Sequence, residues 1–332
     1  MTSHPAVASA PNPSTPTPVE VSSTRPHHTG PLVWLALGAL YLIWGSTYLG
    51  IRIVAQYLPA FGPASMRFGV AGIALAGILA AVRGVRVLRI SPRQLVAVAL
   101  VGTLLIAGGN GLVVLAESPR FGLPSGLAAL LIALSPLIMV MLRFATKDVP
   151  RPVSLLGVLV GLAGLVLLFL PGTGVQTMPV VGGALAISAT LCWCAGSFAT
   201  RWLPMPANPF VASVYEMLAG ATAMAVLAVA HHEPAPWTVP GVPLRAWLAL
   251  VYLCLAGSIV AFTAYVYLLH TAPISLTTTY AYVNPVIALI LGAVVLGEAL
   301  SGRVLLAAGT VVLGVILVVS VEARSRTAAS SP

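Results

Sequence analysis

Three short stripes of polar and aromatic residues interrupt an otherwise apolar chain. Tyr41, Trp44, Tyr48 and Arg52 follow one another at spacings of three, four and four, which places them on one helix face. Thr190, Trp193, Ser197 and Arg201 make a matching stripe, and Thr277, Tyr280 and Asn284 a shorter one. The rings offer apolar and cation–π contact, while Ser197, Tyr280 and Asn284 can orient a polar group. That is chemistry for holding a small amphipathic solute. Tyr41, Trp44, Ser46, Tyr48, Trp193, Ser197, Tyr280 and Asn284 are therefore expected to line one central cavity.

Bond-breaking chemistry finds no such support. Paired carboxylates, histidines or a nucleophile–base pair at one depth cannot be assembled from this sequence, and glycine-rich phosphate or dinucleotide loops are absent. Cys192, Cys194 and Cys254 sit in apolar runs and read as small packing hydrophobes. His231 and His232 beside Glu233 read as a solvated loop. No catalytic residue, cofactor or metal site is expected.

The elements that position the stripes follow from composition. Of 332 residues, 59% are hydrophobic and 7% charged, where a soluble domain carries roughly 25% charged residues. Most of the surface must face lipid. Residues 1–30, rich in Pro, Ser, Thr and Ala, read as a disordered tail, and no signal-peptide cleavage pattern follows. Apolar runs then alternate with short polar breaks. About 20 apolar residues cross a bilayer, and ten runs qualify: 32–52, 62–82, 94–115, 123–143, 153–170, 179–199, 209–230, 245–269, 275–297 and 303–321. The expected fold class is an all-α polytopic membrane protein.

Orientation follows from the basic residues. With the N-terminus cytoplasmic, that side collects Arg25, Arg83, Arg86, Arg89, Arg93, Arg143, Lys147, Arg151, Arg201, Arg324 and Arg326, eleven of the sixteen. Arg52, Arg67, Arg120, Arg245 and Arg303 fall outside. Both termini, including a tail at 322–332, are expected in the cytoplasm. The net charge of +9 is thus a topology signal, and nucleic acid is not an expected partner. The expected partners are the bilayer and a small-molecule substrate; nothing indicates a homodimer.

Sliding the chain against itself by 149 residues superposes Trp44 on Trp193, Arg52 on Arg201, Phe61 on Phe210, Pro124 on Pro273 and Pro136 on Pro285. Ala107-Gly108 falls on Ala256-Gly257. Residues 31–170 and 171–321 are read as two repeats of five helices. Five is odd, so the second copy is inverted, as in alternating-access carriers with a site at the repeat interface.

Arg67 and Glu216 occupy the same repeat position and are the clearest intramembrane charges, expensive enough to need a partner or a role. Inversion places Arg52, Arg67, Glu117 and Glu298 near the outer side, and Arg201, Glu216 and His270 near the inner. Arg201 with Glu216 is expected to close the inner side in one state. Arg52 and Arg67 cannot pair with each other, which leaves Glu117 or Glu298 to serve outside. Pro136 and Pro285, mid-span, are candidate hinges. Gly157-x3-Gly161 offers a small-residue packing face.

The segments Leu42-Ile-Trp-Gly-Ser-Thr-Tyr-Leu-Gly-Ile-Arg52, Arg67-Phe68 and Tyr282-Val-Asn-Pro-Val-Ile-Ala, followed by Leu296-Gly-Glu298, resemble the EamA family of the drug/metabolite transporter superfamily. The resemblance covers about 31–321. It implies two inverted five-helix repeats, with helices one to four and six to nine around a central cavity and five and ten peripheral. It implies export of amino acids, metabolites or drugs across a bacterial inner membrane. The matching positions are the Trp44–Arg52 stretch, Arg67, Asn284-Pro285 and Glu298. The first repeat departs at Ser135-Pro136, where the second has Asn-Pro, and at Arg143, where no Gly-Glu follows.

The resulting expectation is a secondary transporter, most simply an exporter. An intramembrane enzyme or lipid-processing protein, and a channel, are the alternatives. Trans-stimulated flux separates a carrier from both.

Overall fold

The computed structural model describes residues 31–145, 152–169, 179–272 and 280–329. Among them are ten helical rods and no strand. They are α1 (Pro31–Ala55), α2 (Phe61–Arg83), α3 (Pro92–Glu117), α4 (125–145), α5 (Pro152–Phe169), α6 (Val180–Ala199), α7 (Pro209–Ala230), α8 (244–271), α9 (Tyr280–Leu296) and α10 (Gly302–Ala329). Seven of the helices are long and apolar enough to cross a membrane, and shorter apolar stretches lie at Leu155–Gly164, Val283–Leu296 and Gly302–Leu317. With no water in the hydrocarbon to satisfy backbone groups, helix is the form such runs must take.

Local chemistry sets several boundaries. Ser91 and Gln94 form a reciprocal capping box, with Pro92 opening α3. Asn208 accepts from the Phe210 amide ahead of Pro209 and starts α7. Gly84, at φ +78°, takes a conformation that few other residues tolerate and ends α2.

The tail expected at 322–332 is helical as far as Ala329, so α10 runs on past its apolar stretch. The fourth rod is also not continuous. It is built of Ser125–Ile132 and Ser135–Ala145, and Pro136 stands in the first turn of the second piece, where its missing N–H costs nothing. Pro285 instead lies inside the unbroken α9.

Lipid-facing side chains are large and bare: Leu35, Val96, Val229 and Val294 are 69–78% exposed. Between helices small residues prevail. The Gly157-x3-Gly161 face of α5 meets α10 at Gly314, where an added Cβ would lie 2.6 Å from the Gly157 carbonyl oxygen.

Packing pairs obey an exchange of the two halves. α2 lies on α7, α4 on α9 and α5 on α10, each a helix against its own repeat counterpart. α1 packs on α8 and α9, and correspondingly α6 packs on α3 and α4. Two π-helical segments obey it as well. One is Thr103–Gly111 in α3 and the other Leu253–Val260 in α8, and shifting the first by 149 gives 252–260. A π segment frees carbonyls, and here side chains five residues on engage two of them: Asn110 Nδ2 donates to the Leu105 oxygen at 3.4 Å and Ser258 Oγ to the Leu253 oxygen at 3.2 Å.

Candidate functional site

The first stripe meets the π segment of α8. Trp44 Nε1 donates to the Gly257 carbonyl at 3.2 Å. Its ring sits 5.3 Å from Tyr265 and 5.2 Å, edge-on, from Tyr280, and those two tyrosines are 6.0 Å apart. Tyr41 joins the same cluster. This edge-to-face packing is the preferred geometry for such rings.

Tyr280 links the stripes. Its ring on α9 meets Trp44 of α1 edge-on. Asn284, one turn further along α9, is buried; its backbone oxygen would contact a Cβ on Gly45, and its Oδ1 has no hydrogen-bond partner. Ser46 turns toward α8, where its Oγ lies 2.5 Å from the Tyr252 hydroxyl.

On α6, Trp193 lies against the other π segment: a Cβ on Gly109 would be 3.1 Å from its ring, and one on Gly108 only 2.8 Å from Cys192 Cβ. Trp193 makes no counterpart of the Trp44 bond. Thr190 Oγ1 donates to Ala186 and Leu131 carbonyls at 2.9 and 3.3 Å, and Cys194 Sγ to that of Ser135 at 3.5 Å. Ser197 is half-buried one turn on from Trp193.

The charged residues are distributed differently from the expected pairs. Arg67 is buried; its Nε donates to Ser258 Oγ at 3.0 Å and its guanidinium lies 4.6 Å over the Phe68 ring. Arg52 donates to the backbone carbonyl of Glu117, not to its carboxylate. The Glu117 side chain is fully buried and neither oxygen has a hydrogen-bond partner. Glu298 meets no arginine. It accepts the Ser125 amide at 2.8 Å, the Ser125 hydroxyl at 3.0 Å and the Gly126 amide at 3.3 Å, so a carboxylate caps the positive end of α4.

Arg201 is exposed, 4.7 Å over the Phe198 ring, and no ion pair joins it to Glu216. The Glu216 backbone closes on α3, where a Cβ on Gly102 would fall 2.3 Å from its carbonyl oxygen. The side chain of His270, and Thr277, lie outside the described residues.

Sequence reasoning missed several partners. Glu233, read as part of a solvated loop, accepts the Phe61 amide at 3.0 Å and the Gly62 amide at 2.8 Å, capping α2 as Glu298 caps α4. Tyr252, Ser258 and Tyr265 escaped notice because nothing in α8 alone marks them. The repeated Ala-Gly pair was the one visible sign of the π segments. The three cysteines are free. Among the described residues no cluster of metal-ligating side chains occurs, and a shallow apolar depression at Thr222, Val226 and Val229 lies on one outer face of α7, away from the stripes.

The signature of the EamA-like transporter family matches residues 31–170 and, a second time, 180–320. The chain belongs to this family. A relative from Escherichia coli K12, named "Uncharacterized inner membrane transporter YedA", is 38% identical over 283 residues, covering 85% of this chain and 89% of that one. A "Probable terminal-alkyne amino-acid exporter" of Streptantibioticus cattleyicolor is 27% identical over 304 residues, 90% of this chain and 97% of that protein. A solved crystal structure with 26% identity covers 88% of this chain and 98% of its own, at a TM-score of 0.60. This EamA-family chain is therefore a multi-pass inner-membrane transporter and not an enzyme.

Proposed function

We propose that this transporter exports a small amphipathic, amino-acid-sized or drug-like solute by alternating access between two inverted repeats of ten spans in all, with both termini cytoplasmic. The observation that carries the reading is an asymmetry within the repeat. Trp44 holds the π-segment carbonyl of Gly257, whereas Trp193 is packed on the equivalent segment without the equivalent bond. Two halves of one design caught in unequal states are what an alternating carrier requires. In the opposite-facing state Trp193 takes the Gly108 carbonyl and Trp44 releases Gly257.

The solute's polar group is met by Asn284, whose Oδ1 is an acceptor without a donor, one turn along α9 from Tyr280, whose ring packs on Trp44. An N–H-bearing solute with an apolar body fits that combination, and the named amino-acid exporter among the relatives supports the same class.

The test is counterflow in proteoliposomes. Vesicles preloaded with members of a panel of apolar and aromatic amino acids and cationic drugs are diluted into the same labelled compound. Trans-stimulated uptake of at least one N–H-bearing compound, lost in Asn284→Leu, is expected. Flux with no trans-stimulation would mark a channel and overturn the reading.

A further inference from the structure

We propose that Glu117 is a proton-binding site which, resting on the carrier reading above, couples transport to the proton gradient, with Arg52 as the group that expels the proton. The side chain is fully buried, and both carboxyl oxygens lack any hydrogen-bond donor. A fully buried carboxyl with two orphaned oxygens calls for a ligand that needs little or no room. That ligand is a proton, because a buried carboxylate with no protein donor on either oxygen is far costlier than the neutral acid.

The surroundings supply the switch. From α1 come Tyr48 and Arg52, and from the end of α9 comes Glu298. Arg120 follows three residues on but lies over Phe121. The nearby start of α4 presents Ser125, already bound to Glu298, and α6 presents glycine at 182. Arg67 on α2 is committed to Ser258. Among the described residues, Arg52 is thus the cation within reach that can change partners. Here its Nη1 is on the Glu117 backbone carbonyl, and the carboxyl carries its proton. Movement of α1 relative to α3 brings the same guanidinium onto the carboxylate. The O–H bond then breaks, the proton leaves to water at the open face, and the resulting anion is paired. When Arg52 returns to the carbonyl, the carboxylate left unpaired takes a proton from water on the opposite face and the O–H bond re-forms. Arg52 is a positioning residue.

The test uses the full-length protein in proteoliposomes and a lipophilic carbodiimide, which adds to unionised carboxyl groups in apolar surroundings. Peptide mass analysis is expected to place the adduct on Glu117, with the yield falling as pH rises. Glu117→Gln should lose the adduct, and Glu298→Gln and Glu233→Gln should keep it. Arg52→Gln should also keep it and extend labelling to higher pH, a change that loss of packing would not produce. In Glu117→Gln, accumulation driven by a pH gradient should fall at least tenfold when normalised to that variant's own trans-stimulated exchange. Glu117→Asp, which preserves the acid, should recover part of the gradient response and shows that a silent Gln variant is not merely misfolded. No adduct on Glu117 at any pH, or gradient-driven uptake undiminished in Glu117→Gln, overturns the proposal. An adduct with no trans-stimulation for any solute leaves the proton site standing and overturns the carrier reading instead.

Discussion

The carboxylate of Glu298 and the amide of Ser125 lie 2.8 Å apart across 173 residues of chain, fastening the end of α9 to the start of α4. Glu298 satisfies orphan donors of that helix, and its charge complements the dipole. Glu298→Gln should lower the melting temperature of the detergent-solubilised protein, reflecting about 1–3 kcal/mol. Ser125→Ala should cost about 1 kcal/mol, because both backbone amides keep their acceptor. Equal losses in the two variants would show that the hydroxyl, and not the helix end, is what Glu298 serves.

Trp44 and Trp193 should respond oppositely to the same substitution. Trp44→Phe keeps the ring but removes the bond to Gly257, worth about 0.5–1.5 kcal/mol. The conformational equilibrium should shift severalfold away from the state described here. Trp193→Phe should leave this state unaffected and disfavour the other. Reaction rates of single cysteines placed near Arg52 and near Arg201, in a background lacking Cys192, Cys194 and Cys254, measure both. Parallel changes in the two variants would refute the exchange.

Gly314→Ala should destabilise the protein by about 1–3 kcal/mol, since its Cβ would press into the backbone of α5 at Gly157 and Gly161. Gly309→Ala in the same helix meets open space and should be neutral or stabilising by about 1 kcal/mol. Thermal unfolding distinguishes them. If the α5–α10 pair is peripheral to transport, counterflow by Gly314→Ala at low temperature stays near wild type.

The rods were legible because lipid demands one pattern, a long apolar run, and the chain supplies it with polar breaks. The expected run at 209–230 coincides with α7 (Pro209–Ala230). Partners were less so. Glu117, Glu298 and Glu233 were visible as rare acids, but the groups they meet lie 65 to 173 residues away, and no local spacing encodes such pairings. Two identical-looking prolines also diverge: Pro136 follows a break after Ile132 and Pro285 does not. The π segments were hidden for a different reason. An apolar helix that contacts lipid and protein all round has no sharp stripe, so one widened turn leaves no phase error to detect.

The cap on α2 has a consequence for how the chain is made. Ala60, at the start of that helix, provides no side-chain cap; the acceptor is Glu233, a residue the ribosome reaches 172 residues after Phe61. The start of α4 waits longer still, for Glu298. During synthesis the first half therefore enters the membrane with two helix ends that only the second half can complete, while α7 opens with a cap of its own in Asn208. Residues 31–170 carry neither of the two carboxylates. Two copies of that segment would leave both helix starts bare. The halves still share a plan, but the earlier one has become dependent on its successor.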